Sequence, residues 1–81
     1  MKTKYKYIEF REWSGYAAGG RKTSTWDCIN RKHNALLGFI KWYGPWRQYC
    51  FMPCPDTVFS GGCLTDIDDF LTQLKAGRNK G

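Results

Sequence analysis

Two prolines, Pro53 and Pro55, divide the chain into segments of different apolar periodicity. Because proline cannot donate a hydrogen bond to a β-ladder, a sheet is expected to end here. Beyond the prolines, apolar residues recur at helical spacing and predict one helix over residues 62–76. These apolar residues are Leu64, Ile67, Phe70, Leu71 and Leu74. Strands followed by one helix indicate an α+β fold, in which a small antiparallel sheet of three to four strands carries the helix on one face.

The segment before the prolines contains the strand candidates. Residues 4–13 alternate polar and apolar, with a phase slip at Tyr7 that a β-bulge or an irregular edge strand would explain. The glycine-rich residues 14–24 are typical of a flexible loop. Residues 25–52 predict a β-hairpin sheet. Its strands are expected at 25–31, 35–43 and 46–52.

The chain has 81 residues, which is room for a single domain spanning 1–81. This length excludes a nucleotide-binding α/β enzyme or a barrel. A content of 42% hydrophobic and 17% aromatic residues excludes a disordered tail. The absence of an apolar run long enough for a signal peptide or a membrane span predicts a cytoplasmic protein with no membrane partner.

The ends of the helix are predicted from its flanking residues. Ser60 is expected to cap its start, and Gly77 is expected to end it and leave 77–81 as a tail. Asp66, Asp68 and Asp69 lie early in the predicted helix, where acidic side chains complement its dipole. A metal-binding carboxylate pair is the alternative interpretation of these three residues.

The dipeptide Gly44-Pro45 predicts a two-residue hairpin loop that pairs Trp42 with Arg47. Side chains alternate across a sheet, so two faces follow from this pairing. One face would carry the residues Leu36, Gly38, Ile40, Trp42, Arg47, Tyr49 and Phe51. The other would carry Leu37, Phe39, Lys41, Tyr43, Trp46, Gln48, Cys50 and Met52. We place the helix on the first face, where Gly38 leaves room for it, although a one-residue change in the loop would exchange the two faces.

The second face then combines aromatic rings with Lys and Gln, as nucleic-acid-binding sheets do. The chain carries 13 basic and 7 acidic residues, a net charge of +6, and ten of the basic residues precede residue 51. Such segregation favours contact with a polyanion. The candidate residues for binding nucleic acid or another partner are Lys41, Tyr43, Trp46 and Arg47, with Arg21, Lys22, Arg31 and Lys32 in the loops. Burial of this face by the N-terminal strand or the 14–24 loop is the alternative.

The four cysteines, Cys28, Cys50, Cys54 and Cys63, allow three interpretations. Free structural thiols are favoured in a reducing cytosol, and a disulfide is a second interpretation. The Cys-x3-Cys spacing of Cys50 and Cys54 with two further thiols could hold zinc, but the usual tight Cys-x2-Cys pairs are missing. We therefore expect no cofactor.

Nothing in the sequence marks a catalytic centre. His33 is the only histidine and lies in a basic turn with no acidic neighbour. A P-loop, a dinucleotide-binding glycine pattern and a nucleophile elbow are all missing. We therefore expect a non-enzymatic protein.

Two segments carry a resemblance to known proteins. They read IKWYGPWRQYCFMP over residues 40–53 and CLTDIDDFL over residues 63–71. With both, residues 26–74 resemble small uncharacterised proteins of bacteriophages and mobile elements, which implies an accessory protein acting in a bacterial host. The order of strands before a helix is also similar to the DNA-binding arm domains of phage-type integrases, in topology alone.

Two functions follow as hypotheses. The first is an accessory protein that contacts nucleic acid through its basic aromatic sheet face. The second is a protein-binding inhibitor of a bacterial defence system, of the anti-CRISPR kind, in which the same aromatic and arginine residues form an interface hot spot. The sequence leaves the oligomeric state, including a dimer, open.

Overall fold

The computed structural model describes residues 1–12 and 24–79, with the side chains of residues 78 and 79 excepted. The chain forms a four-stranded antiparallel sheet in sequence order, followed by one helix, so the predicted α+β fold is confirmed. The elements are β1 (Ile8–Glu12), β2 (Trp26–Asn30), β3 (Ala35–Tyr43), β4 (Gln48–Pro53) and α1 (Gly61–Asn79). Most of the predicted loop 14–24 lies outside the described residues. Within the described part of the chain, no helix is long and apolar enough to cross a membrane.

The N-terminal segment reverses direction where residues 4–13 were predicted to form one strand. The backbone N–H of Tyr5 donates to the carbonyl of Ile8 at 2.8 Å, and that of Phe10 donates to the carbonyl of Thr3 at 2.8 Å. Residues 1–5 thus fold back along β1, which begins only at Ile8. The phase slip at Tyr7 therefore marks a turn and not a bulge within a strand.

The helix is longer than predicted at both ends. Ser60 caps it as expected, since its hydroxyl accepts from the backbone N–H of Cys63 at 3.2 Å. The prediction that Gly77 ends the helix is wrong, because the helix continues to Asn79. Glycine within a helix costs only about 1 kcal/mol, which this terminal turn tolerates.

The early start of the helix also changes the role of its carboxylates. Because α1 begins at Gly61, no acidic residue lies in its first turn, so the predicted dipole role of Asp66, Asp68 and Asp69 is wrong. Asp69 instead accepts a hydrogen bond from the Tyr5 hydroxyl at 2.7 Å. Gln73 donates to the same hydroxyl at 3.0 Å. The helix is thereby tied to the N-terminal segment.

The core lies between the sheet and the helix. Phe70 is fully buried, and its ring stacks on that of Phe10 with 4.1 Å between centroids. Trp26 meets Phe70 edge-on at 5.0 Å. Buried Ile40 and Cys28 complete the central layer.

Gly38 leaves space for a ring of the neighbouring strand and not for the helix as expected. A Cβ placed there would lie 2.6 Å from the Met52 carbonyl oxygen and 2.7 Å from Cζ of Phe51. The Phe51 ring, held edge-on against Phe59 at 5.3 Å, occupies the space. The missing side chain at Gly38 therefore allows β3 and β4 to pair closely.

We predict that Gly38→Ala destabilises the protein by about 1–3 kcal/mol, because β4 must shift to admit the methyl group. Gly77→Ala is the matched control, since nothing lies within 4 Å of a Cβ there and the helical position should gain about 0.5–1 kcal/mol. Urea denaturation followed by circular dichroism measures both changes. Equal midpoints for Gly38→Ala and the wild type would contradict the close packing of β3 on β4.

We also predict a loss of stability at alkaline pH that depends on Tyr5. Burial and the Asp69 carboxylate raise the pKa of the Tyr5 phenol well above its ordinary value of 10.0. Below about pH 10 the Tyr5 phenol is protonated in both the folded and the unfolded state, so its ionisation does not lower the free energy of unfolding. As the pH rises above about 10, only the unfolded state ionises, so stability falls by up to roughly 1.4 kcal/mol per pH unit.

Tyr5→Phe should remove this part of the pH dependence and cost about 1 kcal/mol at neutral pH for the lost hydrogen bond. Tyr7→Phe is the control, since Tyr7 is 56% exposed. Urea midpoints at about pH 8 and pH 11 measure the effect. A Tyr5→Phe variant as sensitive to alkali as the wild type would show that Tyr5 does not cause the loss.

Candidate functional site

The turn between β3 and β4 is longer than the predicted two-residue loop. Gly44–Trp46 form one turn of 3-10 helix, with Pro45 near its start, where its missing N–H is not needed. Arg47 follows in the left-handed conformation, at φ 53° and ψ 45°, and its N–H donates to the Gly44 carbonyl at 3.1 Å. The connection therefore has four residues.

The longer turn moves the pairing of β4 by two residues. Trp42 lies opposite Tyr49, and Lys41 lies opposite Cys50, where Arg47 and Gln48 were predicted. Since side chains alternate with a period of two, this shift leaves the two faces of the hairpin unchanged. The side chains of Ile40, Tyr49 and Phe51 pack with the helix as predicted.

One local exception occurs in β3. The register between β2 and β3 slips between Cys28 and Ile29, so that Leu36 pairs with Ile29 and Leu37 is left over. Leu37 packs against the core and Leu36 is 42% exposed, the reverse of the predicted faces. The bulge causes this exchange because it adds one residue to one strand.

An exposed group of rings and cations surrounds the turn, and we call Lys41, Tyr43, Trp46 and Arg47 the turn cluster. Trp46 is 68% exposed, and its ring meets that of Tyr43 edge-on at 5.1 Å. Lys41 projects from the same face of β3 as Tyr43 and is exposed. Arg47, in the turn, is exposed as well. The structure thus brings together four of the predicted binding residues.

The remaining basic candidates lie elsewhere. Arg31 and Lys32 are in the turn between β2 and β3, at the opposite end of β3 from the turn cluster. At roughly 3.3 Å per residue, the nine-residue strand separates the two groups by about 25–30 Å. Arg31 also donates to the Tyr5 carbonyl at 2.6 Å, which gives it a structural role. Arg21 and Lys22 lie outside the described residues.

On the face of the sheet away from the helix, the first two strands carry acidic groups that the last two strands lack. Glu9 on β1 accepts from Arg11 at 3.2 Å, and this contact lowers the pKa of the Glu9 carboxyl. Asp27 lies opposite Arg11 on β2. Lys4, which is bridged to Glu9, adds a second exposed cation, so two acidic groups face two basic groups here, whereas the β3–β4 half carries Lys41. Among the described residues of this face, the cation without a nearby carboxylate partner is therefore on the β3–β4 half.

A cleft on the helix side of the turn was not predicted. It has a volume of about 520 Å³ and lies between the end of the β3–β4 hairpin and α1. The sheet side supplies Trp42, Tyr49 and Arg47, and the helix side supplies Asp68, Thr72 and Lys75. The sequence held a signal for it, because the three helical residues share one face at i, i+4 and i+7.

None of the four cysteines is joined in a disulfide. Cys28 is fully buried opposite Gly38, and its burial, aided by the nearby Cys63 and Cys54, raises its pKa to about 12. Cys28 is therefore an unreactive core thiol. Among the residues that the structure describes, no group of three or more His, Cys, Asp or Glu side chains is arranged to hold a metal ion.

His33 lies exposed in the turn between β2 and β3, as predicted. Its backbone N–H donates to the Asn30 side chain at 3.2 Å, as does that of Lys32 at 2.9 Å. Asn30 therefore organises the turn, and these contacts give His33 a place in a solvated loop.

The described residues define a small α+β protein with a four-stranded sheet, one helix and an exposed turn cluster. Comparison with known proteins finds 34% identity over 61 residues with an uncharacterised 9.3 kDa protein of Acholeplasma phage L2, covering 75% of this chain and 78% of the phage protein. The chain therefore belongs to the family of this small phage protein. No protein-family model and no solved structure matches the chain.

Proposed function

We propose that the protein is a non-enzymatic phage accessory protein that binds nucleic acid through the turn cluster, in the cytoplasm of a bacterial host. The observation that carries the proposal is the exposed ring pair of Tyr43 and Trp46 beside the cations of Lys41 and Arg47. Two adjacent exposed rings beside basic residues form a contiguous patch, and such patches are typical of binding sites.

The chemistry of the turn cluster suits a nucleic-acid strand. Stacking of a base on an aromatic side chain contributes roughly 1–3 kcal/mol and tolerates any sequence. Lys and Arg side chains neutralise phosphates and release counterions, which makes such binding sensitive to salt. The footprint should be short, because the acidic groups of Glu9 and Asp27 offset the cations on the β1–β2 half of the same face.

A protein partner is the second candidate, and one observation favours it. On the face of the sheet away from the helix, Glu9 and Asp27 lie on β1 and β2, and the turn cluster lies at the end of the β3–β4 hairpin. Such a mixed surface complements a protein better than a uniform polyanion. In this case the protein would act as an inhibitor of a host defence system, with Trp46 and Arg47 as its hot spot.

Trp46→Ala tests the nucleic-acid proposal. We expect the affinity for a generic oligonucleotide to fall by roughly tenfold or more, because a base loses its stacking partner. Fluorescence anisotropy at several salt concentrations measures both the affinity and its salt dependence. Tyr7→Ala is the matched control, since it removes a ring that is 56% exposed at the far end of β1.

The wild type should show steep weakening as salt increases. If the wild type binds neither single-stranded nor duplex DNA or RNA at low salt, the nucleic-acid proposal is wrong and the protein partner becomes the working hypothesis. Equal losses for Trp46→Ala and Tyr7→Ala would place the interface away from the turn cluster.

A separate prediction concerns Arg47, because its backbone conformation affects stability and its guanidinium group is proposed to bind the ligand. A left-handed conformation costs a non-glycine residue roughly 1–2 kcal/mol, and Arg47 adopts it at φ 53°. We predict that Arg47→Gly is more stable than Arg47→Ala by about 1 kcal/mol, while both variants bind nucleic acid equally weakly. Thermal unfolding and anisotropy measure the two properties. A loss of binding in only one variant would contradict a role of the guanidinium group.

A further inference from the structure

The cleft beside the turn cluster is a feature that the proposed function does not use. We propose that it holds one unstacked nucleotide, so that the protein selects single-stranded nucleic acid over duplex. This inference rests on the proposed function and names the form of nucleic acid that the surface takes.

The apolar wall of the cleft is a pair of rings held in place. Trp42 and Tyr49 are cross-strand partners and meet edge-to-face at 5.6 Å. The Tyr49 hydroxyl accepts from the backbone N–H of Ser24 at 3.2 Å, which fixes the ring from the side of β2. Rings that are already positioned bind a planar base with little loss of conformational entropy.

The polar groups of the cleft fit the other parts of a nucleotide. Arg47 and Lys75 are exposed cations on its two sides and can both meet a phosphate. Asp68 adds a carboxyl group, whose oxygens can accept hydrogen bonds. A nucleotide can meet both kinds of group, because its phosphate is anionic and an unpaired base offers N–H donors.

The size and position of the cleft favour a single strand. Its volume of about 520 Å³ lies within the range of small-molecule sites. A base in a duplex is paired and stacked, and reaches such a cleft only after extrusion, which weakens binding. Arg47 belongs to both the cleft and the turn cluster, so a strand that stacks on Trp46 can place a neighbouring nucleotide in the cleft.

Two helical threonines provide a matched test. Thr72 and Thr65 are both exposed, and each hydroxyl donates at 2.9 Å to the carbonyl four residues earlier. Thr72 lines the cleft, whereas Thr65 does not. Thr72→Trp fills the cleft, and Thr65→Trp places the same side chain on the helix outside it.

The experiment compares the affinities of each protein for a single-stranded oligonucleotide and for the blunt duplex of the same sequence at one salt concentration. We expect the wild type and Thr65→Trp to prefer the single strand by roughly tenfold or more. Thr72→Trp should reduce this preference to near unity while retaining its circular dichroism spectrum.

A further titration tests whether the cleft also binds a free nucleotide. Titration with dAMP should give weak saturable binding that Thr72→Trp abolishes and Thr65→Trp retains. Equal affinity for single strand and duplex in the wild type overturns the inference and leaves the proposed function standing. A single-strand preference unchanged in Thr72→Trp also overturns it. If no nucleic acid binds at low salt, both the inference and the proposed function are wrong.

Discussion

The fold depends on how one helical side chain, Phe70, meets the sheet. Its buried ring stacks on Phe10 of β1 and touches Trp26 of β2 edge-on, so a single residue joins the helix to two strands. In a chain of 81 residues the core is small, and a fully buried aromatic ring supplies a large share of its apolar contact. This contact holds the helix on one face and leaves the opposite face uncovered by it.

Fixing Phe70 against the sheet also sets the roles of the two flanks of the helix. With 3.6 residues per turn, residues on either side of Phe70 point in different directions. Asp69 and Gln73 lie toward the N-terminal segment and bind the Tyr5 hydroxyl. Asp68, Thr72 and Lys75 lie toward the hairpin and form one wall of the cleft. The contact of Phe70 with the sheet therefore places one flank of the helix against the N-terminal segment and the other flank beside the cleft.

The sequence predicted the faces of the hairpin better than it predicted the residue pairs. Gly44-Pro45 has the composition of a two-residue turn, but Arg47 adopts a left-handed conformation that extends the turn to four residues. Residue type alone does not reveal a left-handed arginine, because the steric cost is offset by contacts elsewhere in the fold. An error of two residues preserves alternation across the hairpin, which is why Lys41 and Cys50 were still placed on the same face.

Other features were beyond the reach of periodicity. The reversal at Tyr5–Ile8 is held by backbone hydrogen bonds and a link to Asp69, which lies 64 positions away in the chain. The extra residue at Leu37 exchanges two leucines between faces, and the neighbouring Gly38 was taken as room for the helix and not as the mark of a bulge. Local sequence patterns describe neighbours along the chain, whereas these features depend on distant partners. The cleft needed both the register and the helix position, so it became visible only in three dimensions.

The net charge of +6 explains less about recognition than the positions of individual cations do. Arg11 is paired with Glu9, and Arg31 is bound to the Tyr5 carbonyl, so two of the basic groups already have structural partners. The β2–β3 turn lies about 25–30 Å from the turn cluster, whereas charges are screened over about 8 Å at physiological salt. Arg31 and Lys32 therefore add little to the potential felt by a small ligand at the other end of the sheet. What can distinguish one ligand from another is the local arrangement at that end, where cations, exposed rings and the cleft meet at Arg47.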